Sequence, residues 1–147
     1  MKTNMADAAI VELIEMAFEA RKNAYIPYSG YAVGAALACA DSRIFTGCNV
    51  ENASFGATNC AERTAFFKAV SEGARDFRAI AIVGGVWQGQ DEKPYSVKDY
   101  AYPCGICRQV MKELGGDDLT VIVARSREDY KVWTLAKLLP EGFGGWQ

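Results

Sequence analysis

Three cysteines and one glutamate are the residues of this sequence best suited to chemistry. Cys60 stands two residues before Glu62, and Cys104 and Cys107 form a Cys-x-x-Cys pair further along the chain. Cysteine thiolates are preferred ligands of zinc, and this pair has a spacing typical of zinc sites. Three protein ligands would leave the fourth tetrahedral position open to water, which indicates a catalytic zinc site rather than a structural one.

The chain contains no histidine, and this absence narrows the possible chemistry. It excludes Ser-His-Asp and Cys-His nucleophile systems as well as metal sites held by imidazole. A general acid or base near neutral pH must then be a carboxylate, thiol or lysine whose pKa is shifted towards neutrality. Glu62 lies on a different side of the first helical turn from Cys60, so we expect it to approach the metal without binding it.

Arg63 directly follows Glu62 and could offset the negative charge of the three thiolates. Zinc held by three thiolates carries a net negative charge, which weakens its power to acidify a bound water. A guanidinium group that hydrogen-bonds the thiolates would withdraw part of that charge. The alternative for Arg63 is an ion pair with a surface carboxylate.

The composition is typical of a soluble globular protein, and the net charge argues against binding to nucleic acid. Half of the 147 residues are hydrophobic, and the net charge is −2. An acidic balance disfavours partners with a phosphate backbone, and residues 1–7 resemble neither a signal peptide nor a membrane span. Five cysteines, an odd number, fit a reduced cytoplasmic protein better than a disulfide framework. We therefore expect one domain over residues 1–147, in the cytoplasm and without a membrane partner.

Hydrophobic periodicity predicts helices and strands in the order α-β-β-α-β-α-β-β-α. The predicted helices cover 6–24, 60–72, 104–114 and a short segment ending at 139–140, and the predicted strands cover 31–40, 44–50, 77–83, 119–124 and 131–133. This order predicts an α/β fold of three layers, α/β/α, around a mixed sheet of about five strands. The strands after helices 60–72 and 104–114 are expected to lie beside parallel neighbours. Both of these helices begin at a candidate zinc ligand.

Five segments of the chain together resemble the cytidine deaminases, in their small, homotetrameric, three-cysteine class. They are YSGYAVGAA (28–36), GCNVENAS (47–54), CAERT (60–64), PCGICRQ (103–109) and LLPEGFG (138–144). The resemblance covers nearly the whole chain in order. It implies the cytidine deaminase fold and hydrolytic deamination of cytidine and deoxycytidine to uridine and deoxyuridine plus ammonia, a step of pyrimidine salvage. It also implies one Zn²⁺ per subunit, with zinc-bound hydroxide attacking C4 and Glu62 carrying the protons.

The resemblance also assigns residues to the nucleoside substrate. Asn49 and Glu51 would hold the ribose 3′-hydroxyl, and Tyr31 would pack on the base at a position where the family usually has phenylalanine. Ala61 would offer backbone groups to the pyrimidine edge. Phe143 would reach into the site of a neighbouring subunit, so that active sites are shared within a homotetramer.

Three other interpretations stay open at this stage. A deaminase of the same fold could act on a related compound such as the antibiotic blasticidin S. A thiol redox module could use Cys104 and Cys107 as a reversible disulfide, and a structural zinc module could recruit Cys48 as a fourth ligand. The redox interpretation leaves Cys60 and Glu62 without a role.

Overall fold

The structure is a computed structural model that describes residues 5–145. Its main elements follow the predicted order, with boundaries that differ by a few residues. They are α1 (Asp7–Arg21), β1 (Tyr31–Cys39), β2 (Ile44–Cys48), α2 (Ala61–Ser71), β3 (Phe77–Val86), α3 (Gly105–Gly115), β4 (Thr120–Ala124), β5 (Tyr130–Thr134) and α4 (Leu135–Leu138). Two single turns of 3₁₀ helix, Phe55–Ala57 and Gly89–Asp91, lie in the loops before α2 and after β3.

The five strands form one mixed sheet, as predicted, and their order in the sheet is β2-β1-β3-β4-β5. β1 pairs antiparallel with β2 and β3, β3 pairs parallel with β4, and β4 pairs antiparallel with β5. The prediction of parallel neighbours is confirmed, because β3 and β4 pair parallel with each other. The other neighbour of β3 is antiparallel. The β1–β2 hairpin places β1 between β2 and β3, so the crossover through α2 passes over β1 and β3 pairs with that antiparallel strand.

Helices cover both faces of the sheet and complete the three layers. One core cluster packs α2 and α3 against the sheet, through residues such as Ala65, Phe66 and Met111. The other cluster packs α1 on the opposite face, through residues such as Ile10 and Ile14. Because β1 is covered from both sides, its sequence is a continuous apolar run and not an alternating one. No helix in residues 5–145 is long and apolar enough to cross a membrane.

Two glycines let helices lie directly against strands. A Cβ at Gly34 would stand 1.9 Å from the carbonyl oxygen of Ala17 in α1. A Cβ at Gly47 would stand 2.4 Å from the carbonyl oxygen of Ala61 and 2.6 Å from the amide nitrogen of Ala65, both in α2. Any other residue at position 47 would push α2 away from β2. The contact is important for the site because α2 begins at a candidate zinc ligand.

Candidate metal centre

Two helix N-termini bring the cysteines of the predicted site together. Cys60 is the N-cap residue of α2 and Cys104 is the N-cap residue of α3, both with extended backbone. Cys107 lies in the first turn of α3 and is fully buried. The partial positive charge of a helix N-terminus favours the thiolate form of a nearby cysteine. The N-termini of α2 and α3 therefore both point at the three cysteines.

The sulfur atoms have the spacing that zinc requires. The Sγ atoms of Cys60, Cys104 and Cys107, here called the cysteine cluster, all lie within 4.8 Å of one another. The Sγ atoms of Cys60 and Cys104 are 3.8 Å apart. Tetrahedral zinc with Zn–S bonds of about 2.3 Å needs ligand sulfurs about 3.8 Å apart. Cys48 does not belong to this cluster, so these residues offer three thiolates and not four.

Arg63 contacts the cluster as the charge argument predicted. Its Nη2 donates a hydrogen bond to the Sγ of Cys60 at 3.3 Å. Burial lowers the pKa of Arg63, but hydrogen bonds to Cys60 and Cys107 raise it by more, so the guanidinium stays charged. The hydrogen bond from Cys107, assisted by that from Arg63, lowers the pKa of Cys60 to about 5. Donation to Cys60 and burial raise the pKa of Cys107, so these contacts favour the thiolate at Cys60 over that at Cys107.

Glu62 is a buried carboxyl group beside the cluster. The residue is 4% exposed. Burial raises the pKa of Glu62 to about 7, with a further contribution from the negative charge of Cys60. A carboxyl group with a pKa near neutrality can accept and release a proton under the same conditions. Its carboxylate is not grouped with the three sulfurs as a metal ligand.

A cavity of about 280 Å³ opens in front of these groups, and we call it the cysteine cavity. It brings together six of the predicted site residues, namely Tyr31, Asn49, Cys60, Ala61, Glu62 and Cys104. The rest of its wall was not predicted from the sequence, and consists of Val33, Ile82, Tyr100, Ala101 and Tyr102. The position of residues 100–102 immediately before Pro103-Cys104 was the signal that could have identified them.

Asn49 and Glu51 are held by neighbouring backbone. The Asn49 side chain accepts a hydrogen bond from the Val33 amide at 2.9 Å and donates one to the Tyr31 carbonyl at 2.8 Å. The Glu51 carboxylate accepts hydrogen bonds from the amides of Tyr28 and Ser29 at 2.9 and 3.1 Å. Asn49 lines the cysteine cavity, whereas Glu51 stabilises the turn that precedes β1 and is not among the lining residues.

Phe143 is not brought to the cysteine cavity of its own chain. Its side chain is 80% exposed, and its carbonyl oxygen accepts a hydrogen bond from Gln109 at 3.1 Å. Phe55 is similarly exposed, at 83%. Two large aromatic side chains are thus available for contact with another molecule.

Comparison with known proteins identifies the family. The family described as cytidine and deoxycytidylate deaminase zinc-binding region matches residues 8–124. The chain belongs to this family. A cytidine deaminase of Sporosarcina psychrophila is 46% identical over 134 residues, which are 91% of this chain and 90% of that protein.

Solved structures and a further relative agree with this assignment. The crystal structure of a cytidine deaminase from Burkholderia pseudomallei superposes with a TM-score of 0.79 at 46% identity, covering 95% of this chain and all of that one. A blasticidin-S deaminase of Bacillus cereus is 31% identical over 122 residues, or 83% of this chain and 84% of that protein. The α/β/α fold is thus a cytidine deaminase fold. The family's zinc-binding character and the geometry of the cysteine cluster agree on one Zn²⁺ per subunit.

Proposed function

We propose that this protein is a cytidine deaminase that hydrolyses cytidine and deoxycytidine to uridine and deoxyuridine, with release of ammonia. The observation that carries the proposal is the buried carboxyl group of Glu62 beside three convergent cysteine sulfurs, at the base of a cavity that an aromatic ring and an amide also line. Deaminases of nucleobases need these parts: three zinc ligands, a glutamate that is not a ligand, and a pocket for the base.

Glu62 is the proposed proton carrier. Zinc held by the cysteine cluster would supply the acidity that turns water into a nucleophile near neutral pH. Glu62 would take one proton from that water and give it to N3 of the pyrimidine. It would then take the second proton of the attacking oxygen and give it to the amine, which departs as ammonia while C4 becomes a carbonyl carbon. Burial raises the pKa of Glu62, which favours proton uptake by a carboxylate that must also release the proton. Arg63 supports this chemistry by offsetting the charge of the thiolates through its bond to Cys60.

The proposed substrate contacts follow the walls of the cysteine cavity. Tyr31 packs on the base, the backbone of Ala61 meets the pyrimidine edge, and Asn49 contacts the ribose 3′-hydroxyl. Asn49 has one amide hydrogen and one lone pair beyond those used for β1, so it can still bind a hydroxyl. Glu51 would contact the same hydroxyl from the edge of the site.

A second copy of the chain is the proposed partner at Phe143. The side chain is exposed and does not line its own cysteine cavity, which supports a role in a neighbouring subunit's site. We propose a homotetramer with shared active sites, in which residues 1–147 of each chain form one domain. We also propose a cytoplasmic place in pyrimidine salvage, since all five cysteines are free thiols and the zinc ligands must remain reduced.

The second candidate function is deamination of blasticidin S, favoured by the relative from Bacillus cereus. The zinc chemistry would be the same, and only the group attached to the base differs. The test compares turnover of cytidine and blasticidin S, followed by absorbance, with bound zinc measured in the same sample. We expect higher kcat/KM for cytidine. A preference for blasticidin S would overturn the nucleoside assignment, and a metal-free protein with a reversible disulfide would favour the redox alternative.

A further inference from the structure

One serine hydroxyl connects two residues of the predicted substrate site. The Oγ atom of Ser29 accepts a hydrogen bond from the backbone amide of Tyr31 at 3.0 Å and donates one to the Oε2 atom of Glu51. Ser29 is not among the residues that line the cysteine cavity. Its hydroxyl therefore contacts residues assigned to the nucleoside from outside the cavity, in the turn that leads into β1.

The two oxygen atoms of the Glu51 carboxylate are held differently. Oε1 accepts hydrogen bonds from the backbone amides of Tyr28 and Ser29 at 2.9 and 3.1 Å. Within residues 5–145, the hydrogen bond to Oε2 comes from the Ser29 hydroxyl alone. Two bonds to one oxygen fix its position but not the plane of the carboxylate. The Ser29 hydroxyl fixes that plane, because the last torsion of a glutamate side chain has only weak preferences of its own.

One acceptor position of this carboxylate remains available to a substrate. An ionised carboxylate has about four lone-pair positions, and the two amides and the hydroxyl use three of them. Since two of the three are on Oε1, the remaining position is on Oε2, the oxygen that Ser29 holds. The hydrogen bond from the Ser29 hydroxyl, together with those from the amides, keeps the pKa of Glu51 below its ordinary value, so the carboxylate acts as an acceptor.

Asn49 provides the complementary donor two residues earlier. Val50 forms bridges with Tyr25 and Asn59, so the backbone around it is extended and the side chains at positions 49 and 51 emerge on the same side. A hydroxyl group between them can accept from the unused amide hydrogen of Asn49 and donate to Oε2 of Glu51. The assignment of this hydroxyl to the ribose 3′ position rests on the proposed function.

We propose that Ser29 is a positioning residue for the ribose: its hydroxyl holds Oε2 of Glu51 in the orientation that receives the 3′-hydroxyl, and so determines the preference for nucleosides that carry this group. Ser29 acts through Glu51 and does not touch the substrate. Because the same hydroxyl accepts from the Tyr31 amide, the carboxylate is oriented relative to the first residue of β1. Without the hydroxyl, the carboxylate plane turns and the contact with the ribose weakens.

The test compares 2′-deoxycytidine with 2′,3′-dideoxycytidine, which differ only in the 3′-hydroxyl. We expect Ser29→Ala to lower the ratio of kcat/KM for the first compound to that for the second by about fivefold or more, because a hydrogen bond that orients a charged group is lost. The loss should appear mainly as a higher KM for 2′-deoxycytidine, since the cysteine cluster and Glu62 are unchanged. The kinetics of 2′,3′-dideoxycytidine should stay close to those of wild type.

Two further variants separate the hydroxyl from general effects of substitution. Ser29→Thr keeps a hydroxyl and should retain the wild-type ratio. Ser71→Ala removes an exposed hydroxyl that donates to the Lys68 carbonyl at 2.7 Å, at the end of α2 opposite Cys60, and should also retain it. An unchanged ratio in Ser29→Ala, an equal loss for the two compounds, or a ratio in Ser29→Thr as low as in Ser29→Ala overturns the proposal.

Binding is measured as well, so that failure of the proposed function is distinguishable from failure of this proposal. The two nucleosides are titrated calorimetrically against zinc-loaded Glu62→Gln protein, with and without Ser29→Ala. A fall of about fivefold in the ratio of affinities supports the role of Ser29, and equal ratios overturn it, whatever the rate of deamination. Wild-type protein that binds both compounds but deaminates neither would overturn the proposed function alone.

Discussion

Arg63 contacts the cysteine cluster without belonging to it, so its contribution can be separated from that of the ligands. We expect Arg63→Ala to keep part of the zinc and to lower kcat by about 10–100-fold, because the excess charge of the thiolates is no longer offset. Zinc content and cytidine turnover measured on one sample test this. Arg127→Ala removes an exposed arginine that pairs with Glu15 and serves as the control. An unchanged rate for Arg63→Ala would contradict the charge argument.

Glu62 should also make the free energy of unfolding of the metal-free protein depend on pH. Its pKa is about 7 in the folded chain, against an ordinary value of 4.5. A raised pKa means that folding favours the protonated form, so this stabilisation is present below pH 4.5 and is lost as pH rises through 7. The difference amounts to at most about 3 kcal/mol.

Urea unfolding of metal-free wild type and Glu62→Gln measures this difference directly. The amide cannot ionise, so the variant should gain stability relative to wild type between about pH 5 and about pH 8. Titration of groups that do not interact with Glu62 cancels in the comparison. Parallel stability profiles over this range would show that Glu62 is not held in an environment that disfavours its charge.

The position of the N-terminus of α2 depends on Gly47 in β2, which has no side chain. Gly47→Ala would place a Cβ 2.4 Å from the carbonyl oxygen of Ala61, so α2 must shift away from the sheet. We expect a loss of about 1–3 kcal/mol in the free energy of unfolding, together with weaker zinc binding because Cys60 moves with the helix. Gly56→Ala is the control, since no atom lies within 4 Å of a Cβ there. Equal zinc affinity in the two variants would contradict the positioning role of this contact.

The loop before α3 contains site residues that the sequence did not predict. The ligands were predictable because zinc chemistry demands particular residue types at helix starts, and both starts carry them. The position of residues 100–102 before Cys104 indicates that they lie near the site, but their place in the cavity wall depends on contacts distant in sequence. Tyr100 bonds to Asp129 in the β4–β5 turn, and Arg125 of the same turn donates to the Lys98 carbonyl at 3.3 Å. No local pattern encodes these pairings.

For the whole molecule, sequence pattern predicted the layers and the number of strands but not every neighbour. Periodicity records which residues are buried, and the continuous run in β1 correctly indicated a strand covered on both faces. It does not record which edge of a hairpin the next strand joins. For that reason the antiparallel pairing of β3 with β1 was not predicted, whereas the expected parallel neighbour of β3 is present as β4.

The proposed sharing of active sites between subunits makes a prediction about the assembly. Phe143→Ala and Glu62→Gln should each have low activity, because each lacks one part of every site. Mixing them under conditions that allow subunit exchange should restore activity above the sum of the two, since some sites then combine an intact Glu62 with a neighbour's intact Phe143. Sedimentation should give four times the chain mass of 16.0 kDa. An active monomer, or a mixture that only sums, would contradict the shared site.

The proposed roles separate metal binding by the cysteine cluster from proton transfer by Glu62, and the variant Glu62→Gln distinguishes the two. Zinc content and cytidine turnover are determined on the same sample of Glu62→Gln protein, beside wild type. The variant should retain one zinc per chain, because the three sulfurs are untouched, while kcat falls by about 10²–10⁴-fold through loss of the proton carrier. Loss of zinc from Glu62→Gln, or turnover close to that of wild type, would contradict these roles.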